Sequence, residues 1–383
     1  MKRTGRHAVV ADMVFDGKIL HREHAVIIEG TDVAALVPRR ELPAAMPVRR
    51  LPDGVWLAPG FIDVQVNGGG DVLFNDMPTV EGIAAIVAAH RRFGTTSLLP
   101  TLMSDTADKM RAAGAAAEAA VRSMPGVLGI HFEGPFLSPE RAGVHDPAMI
   151  RPPTQQDLEF LTARRAGVTL ISLAPERVPA DFIAELAGAG VRVALGHSMA
   201  TYAETRAALA EGLIGFTHLF NAMRPLASRE PGPIAAALET PGAFYGLIAD
   251  GEHVAPPMLR LALRGLGQAM LVSDAMPPVG GSRTEFMLGG KRILARAGRL
   301  ATEDGTLAGA ALDMASAMRN CVKLLDLELP DALRLASMAP AAFLGIADRL
   351  GHLRPGYRAD LVALDPAEMT VLASWTAGAE NPF

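Results

Sequence analysis

Cysteine is almost missing from this chain: Cys321 stands alone among 383 residues. That excludes an intrachain disulfide framework and any metal site built from several thiolates, and it suits a reducing cytoplasm. Aromatic residues are scarce at 5%, although half the residues are hydrophobic, so the core must be assembled from Ala, Val, Leu, Ile and Met. A dominant charge sign is also lacking. With 36 basic and 41 acidic residues the net charge is −5, which leaves no electrostatic footprint for nucleic acid. Long uninterrupted apolar runs are absent as well. In the opening MKRTGRHAVVADMVFDGKIL, Asp12, Asp16 and Lys18 break the apolar stretches, which argues against a signal peptide or a membrane span.

What the chain does have is a change of rhythm. Residues 7 to 57 read as short strands, HAVVADMVF, HAVIIEG and DVAALVP, with turns at Asp16-Gly17 and Asp53-Gly54. From Pro59 the pattern becomes strand, loop, Ala-rich helix. Eight apolar segments, GFIDVQVN, TSLLPTLM, VLGIHFEG, VTLISLAP, VRVALGHS, GFTHLFN, FYGLIAD and AMLVSDAM, predict an α/β fold, a (β/α)8 TIM-type barrel over residues 58–345. The closing LGHLRPGYRADLVALD returns to strand character. Residues 1–57 and 346–383 are therefore expected to form one small β-sandwich domain from both chain ends.

A barrel places its chemistry at the C-terminal ends of its strands. The polar residues fall there: His131 and Glu133, His197, His218 and Asn221, Asp250 and His253, and Asp274, with His145 in the loop after Glu133. Glu133, His197 and His218 supply one carboxylate and two imidazoles, the ligand set of a catalytic zinc site that leaves a position open for water, though other divalent metals suit the same donors. Asp274 reads as a general base facing that water, or alternatively as a helix N-cap. His145 is either a positioned electrophile or an ordinary loop histidine. Asn221 and Arg229 stand in a loop able to hold an anion, unless Arg229 is only a solvated surface charge. In PGFIDVQVNGGG, residues Asp63, Gln65 and Asn67 share one face of a strand, and buried amides there need partners.

The segments PGFIDVQVNGGG, HFEGPFLSPERAGVH, GHSMATYAE, THLFNAMRPLASREPG, ADGEHV, LVSDAM, LAGAAL and GHLRPGYRADLVALD, in that order, resemble the N-acetylglucosamine-6-phosphate deacetylases of the amidohydrolase superfamily. The resemblance implies hydrolysis of an acetamide on a sugar phosphate. Many amidohydrolases carry His-x-His on the first barrel strand for a second metal, whereas this chain has Gln65-Val66-Asn67. It is thus similar to single-metal members: one divalent ion, zinc by preference, on Glu133, His197 and His218, with Gln65 and Asn67 orienting neighbouring groups. By the same likeness Asp274 carries the proton and His145 polarises the carbonyl. Val144, Asn221, Ala222, Arg229, His253 and the turn Leu307, Ala308, Gly309 match positions that contact the sugar phosphate. A homodimer is implied, with Arg229 and His253 near the subunit boundary. One departure is Glu252, where the family commonly has an apolar residue; beside His253 on an extended segment it is expected to point away from the phosphate.

Overall fold

The computed structural model describes residues 5–382. Eight parallel strands form the central sheet in sequence order: Phe61–Val66, Thr95–Met103, Gly129–Glu133, Val168–Leu173, Arg192–Leu195, Gly215–Phe216, Phe244–Leu247 and Gln268–Leu271. The first and last strands meet through a parallel bridge between Val66 and Ala275 and a 3.1 Å bond from the Asp274 amide to the Gln65 carbonyl. This closes the barrel. Strand residues are buried on both faces because helices sheathe the outside and side chains fill the inside, which is why these segments read as continuous apolar runs.

The helices have local causes. Thr79 caps Val80–Arg91 by accepting from Gly82 N–H, Thr106 caps Ala107–Ser123, and Thr201 with Glu204 forms a reciprocal capping pair at Tyr202–Ala210. Small residues such as Ala113, Ala117 and Ala120 face the barrel, which lets helix and sheet approach closely with few aromatics.

The chain ends build a second sheet of eight strands. Trp56–Pro59 sits at its middle, pairing with His7–Phe15 on one side and with the late strand Leu361–Asp365 on the other. A bridge between Asp32 and Arg358 draws the far edge back toward the C-terminal segment, so both halves of this one sheet enclose a shared core of Val9, Val26, Leu57, Leu361 and Trp375. Since Trp56–Pro59 runs directly into the first barrel strand, the two units are continuous across residue 57.

One element was not anticipated. Between the last barrel strand and helix Met314–Leu325 lies an antiparallel three-stranded meander, Glu285–Leu288, Lys291–Arg296 and Arg299–Thr302. Its inner residues Phe286, Leu288, Ile293 and Leu300 pack on Val144, Met103 and Met276 at the mouth of the barrel.

Candidate active site

The segment after the first strand explains its glycines and its amides. A Cβ on Gly68 would lie 2.5 Å from the Val72 carbonyl oxygen, so only glycine permits the tight hairpin that follows. Asp63 and Gln65 within the strand and Asn67 just after it are all buried. Gln65 Nε2 donates to Glu133 Oε1 at 3.1 Å and to Asp274 Oδ1 at 3.0 Å, while Asn67 Nδ2 donates to the same Asp274 oxygen at 2.6 Å. Gln65 therefore ties together two carboxylates that come from either side of the first strand, and Asn67 holds the second of them from another direction.

Glu133, His197 and His218 converge at that point, with one donor atom from each lying within 4.8 Å of the others. His197 Nε2 and His218 Nε2 are 3.1 Å apart, and each also faces Glu133 Oε1, at 3.3 and 3.0 Å. The Arg141 carbonyl, an acceptor only, lies 2.7 Å from His197 Nδ1. That nitrogen must donate, which leaves the Nε2 lone pair of the neutral ring free toward the cluster. Two imidazole nitrogens and a carboxylate oxygen crowded together in a buried place fit a divalent cation better than they fit one another. Burial pushes the Glu133 carboxyl up, but the imidazoles of His197 and His218 outweigh it and hold the group well below its ordinary range.

Asp274 follows the last strand and is not a helix N-cap, since no helix begins there. Its carboxyl is raised to about 6, first by burial and then by the charge of Glu133. Both amide donors go to Oδ1, so Oδ2 is the oxygen left for chemistry. His145 accepts at Nδ1 from the Ser104 backbone N–H at 3.2 Å, with the Ser104 hydroxyl 2.8 Å away. A backbone N–H can only donate, so the proton of the neutral ring sits on Nε2, 3.9 Å from Glu133 Oε2. Burial, reinforced by the neighbouring His197, lowers its pKa to about 3 and keeps the ring neutral. His197, His218, Phe220, Ala222 and Asp274 all have positive φ, between 33° and 78°, a concentration of left-handed non-glycine backbone at the barrel mouth.

These groups open into a cleft of about 330 Å³. Val144, Asn221, Ala222, His253, Leu307 and Gly309 line it, as do Asn67 and Asp274. His253 is oriented by Asp250 Oδ2 at 2.5 Å. Two expected contacts do not line it. Ala308 is fully buried in the cluster beneath the meander, and Arg229 is exposed outside the cleft of its own chain. Glu252 is exposed and also off the wall. His131 turns into the barrel interior, between the Val64 carbonyl and the Ser172 hydroxyl, and burial lowers its pKa to about 4. Sequence reasoning missed Met103, Met276, Glu140 and Arg141 on the wall; the Pro139–Arg141 turn between Glu133 and His145 carried no signal of its own beyond its charges.

Residues 56–382 match the amidohydrolase family. Over 341 residues, covering 88% of this chain and 86% of the relative, the sequence is 43% identical to N-acetylgalactosamine-6-phosphate deacetylase of Shewanella sp. (strain ANA-3). It is 33% identical to N-acetylglucosamine-6-phosphate deacetylase of Haemophilus influenzae over 366 residues, covering 94% and 96%. Among solved structures, N-acetylglucosamine-6-phosphate deacetylase from Pasteurella multocida superposes with a TM-score of 0.95 at 32% identity, covering 99% of this chain and all of that one. A mutant of the Mycobacterium smegmatis enzyme in complex with N-acetyl-D-glucosamine-6-phosphate superposes at 0.91 with 35% identity and the same coverage. With a closed parallel barrel, a mixed carboxylate and imidazole cluster at its mouth and relatives alike over nearly their whole length, the chain belongs to the amidohydrolase family, in the branch of the N-acetylhexosamine-6-phosphate deacetylases.

Proposed function

We propose that this protein hydrolyses the acetamide of N-acetyl-D-glucosamine 6-phosphate to D-glucosamine 6-phosphate and acetate. The observation that carries the reading is the placement of Asp274 on the cleft wall, held through Oδ1 by Gln65 and Asn67 beside the Glu133, His197 and His218 cluster. One divalent ion, zinc by preference, held by those three residues would supply Lewis acidity and acidify a water molecule. Asp274, raised toward neutrality by burial, takes the proton of the attacking water and returns it to the departing amine. His145 presents Nε2–H toward the oxygen that becomes negative in the tetrahedral state. Val144, Asn221, Ala222, His253, Leu307 and Gly309 form the wall that receives the sugar.

A second reading keeps the chemistry and changes the sugar. The Shewanella relative, at 43% identity, acts by its name on the galactosamine compound, which differs only in the configuration at C4. Acetate release from N-acetyl-D-glucosamine 6-phosphate and N-acetyl-D-galactosamine 6-phosphate, with and without chelator, decides between the two. No metal-dependent release from either would leave a sugar-phosphate-binding protein without catalysis.

The assembly we propose is a cytoplasmic homodimer. Arg229, exposed outside its own cleft, is free to reach a neighbouring chain's substrate, and among the described residues no helix is long and apolar enough to cross a membrane.

A further inference from the structure

The hairpin that follows the first barrel strand carries a second buried side-chain amide besides Asn67. Asn75, in the turn after Val72–Leu73, reaches across to the end of the neighbouring strand Thr95–Met103. Its Oδ1 accepts from the Met103 N–H at 3.0 Å, and its Nδ2 donates to the Met103 carbonyl at 3.1 Å and to Asp105 Oδ2 at 3.1 Å. The backbone partners settle which end of the amide is oxygen. Asp105 is itself engaged by Lys109 Nζ at 2.8 Å and by the Thr106 N–H at 2.8 Å. Asn75 thus grips Met103 and Asp105 and leaves Ser104, between them, to face elsewhere.

What Ser104 faces is His145. The Met103 carbonyl and the Ser104 N–H belong to one planar peptide unit and point in opposite directions, so a bond that holds the oxygen also aims the hydrogen. Asn75 takes the oxygen side, and the hydrogen side meets His145 Nδ1 at 3.2 Å. A donor on the carbonyl also polarises the peptide and strengthens its N–H. The Ser104 hydroxyl, 2.8 Å from the same nitrogen, cannot dictate the tautomer, because a hydroxyl can donate or accept. The peptide N–H can only donate. It keeps Nδ1 bare and the ring proton on Nε2.

We propose that Asn75 is a positioning residue for His145: by holding the Met103–Ser104 peptide it sets the tautomer and the direction of the ring that meets the developing oxyanion. The kinetic consequence rests on the deacetylase reading above; the tautomer does not. The segment from Asn67 to Asn75 then carries one amide to the proton carrier Asp274 and another, through a peptide, to the electrophile. Asn75 itself does not line the cleft.

Asn75→Ala leaves a void and Asn75→Leu fills it, but neither can hold the peptide, so an effect common to both is not one of packing. The experiment measures acetate release at saturating substrate, KM, metal content and thermal stability for both variants, each alone and combined with His145→Ala. Nitrogen NMR of histidine-labelled protein reads the tautomer, with the His145 signals identified by their loss in His145→Ala. For either variant kcat is expected to fall roughly 5- to 30-fold at nearly unchanged KM and metal content, and by less than about 2-fold where the ring is already gone. Wild-type His145 should show a bare Nδ1 and a protonated Nε2, and the variants a mixture of tautomers. A loss of equal size in the His145→Ala background, a loss that tracks metal content, or an unchanged kcat would overturn the proposal. Unfolding of both variants would do the same, since it would make Asn75 a residue of the fold. If the wild type releases acetate from neither sugar phosphate, the deacetylase reading falls and the spectra still judge Asn75: His145 signals alike in wild type and variants would overturn it.

Discussion

Replacing Asp274 by asparagine separates the proton carrier from the architecture that holds it. Oδ1 accepts from Gln65 and Asn67 at 3.0 and 2.6 Å, and the carboxamide oxygen of asparagine can accept both bonds unchanged. The new NH2 group then takes the position of Oδ2, at nearly the same volume. Backbone bonds from Asp274 N–H to the Gln65 carbonyl and from Ala310 N–H to the Asp274 carbonyl are untouched. Fold, metal content and substrate KM are therefore expected to persist. What disappears is a base raised to about 6, deprotonated at neutral pH yet close enough to it to return the proton. General acid–base catalysis contributes roughly 10²- to 10⁴-fold, or ~2.7 to 5.4 kcal/mol at 1.36 kcal/mol per decade, and kcat should fall by at least the lower figure because one group serves both transfers. Acetate release by metal-loaded enzyme at saturating substrate gives the number. In the wild type kcat/KM should also decline on the acid side as Asp274 protonates, and the variant should lose that limb. A kcat within a few-fold of wild type at equal metal content would mean that another group carries the proton.

Three further outcomes bear on the same site. His145→Ala should lower kcat by roughly 10²- to 10³-fold with little change in metal content, since a neutral Nε2–H donor is removed from the oxyanion and not from the metal; an unchanged kcat would reassign His145 to packing. Elemental analysis after dialysis should find one divalent ion per chain, because the Gln65 and Asn67 amides are already engaged as donors to Glu133 and Asp274; two fully retained ions would refute the single-metal reading. Asp63, whose Oδ1 accepts from the Gln65 and Ser273 amides, is raised to about 7 by burial, so it stabilises the fold fully below its unfolded value of 3.8 and loses that contribution as pH climbs through about 7. Asp63→Asn should thus gain thermal stability over wild type between pH 6 and pH 8.5, and a gap that is constant with pH would show that Asp63 does not titrate there.

The legibility of this molecule follows from which features are periodic or local and which are not. Barrel strands buried on both faces must be apolar throughout, so each wrote itself into the chain as a run, and a strand's C-terminal end could be located to within a few residues. That is why the sequence alone places Glu133, His197, His218 and Asp274 at one mouth. The meander over residues 285–302 escaped notice because EFML, KRILAR and RLAT are short and bury only some of their residues, covering the mouth with one face while water wets the other.

The purpose of Gln65 and Asn67 was hidden for a different reason: a side chain's partner across the barrel is separated from it by up to 209 residues, and no pattern in a strand names an acceptor on another. Arg141 was hidden more deeply still. By sequence it is one charge in SPERAG, no different in kind from Arg177 in APERV, and both follow a Pro-Glu pair in a 3₁₀ turn after a barrel strand. Only the first lies on the cleft wall, because the loop from Glu133 to His145 folds back over the mouth while the turn at Pro175–Arg177 does not reach it. Two identical tripeptides thus differ in their chemical opportunity through the loops that carry them, and the distinction becomes visible only when the closed barrel fixes which loops share the cleft.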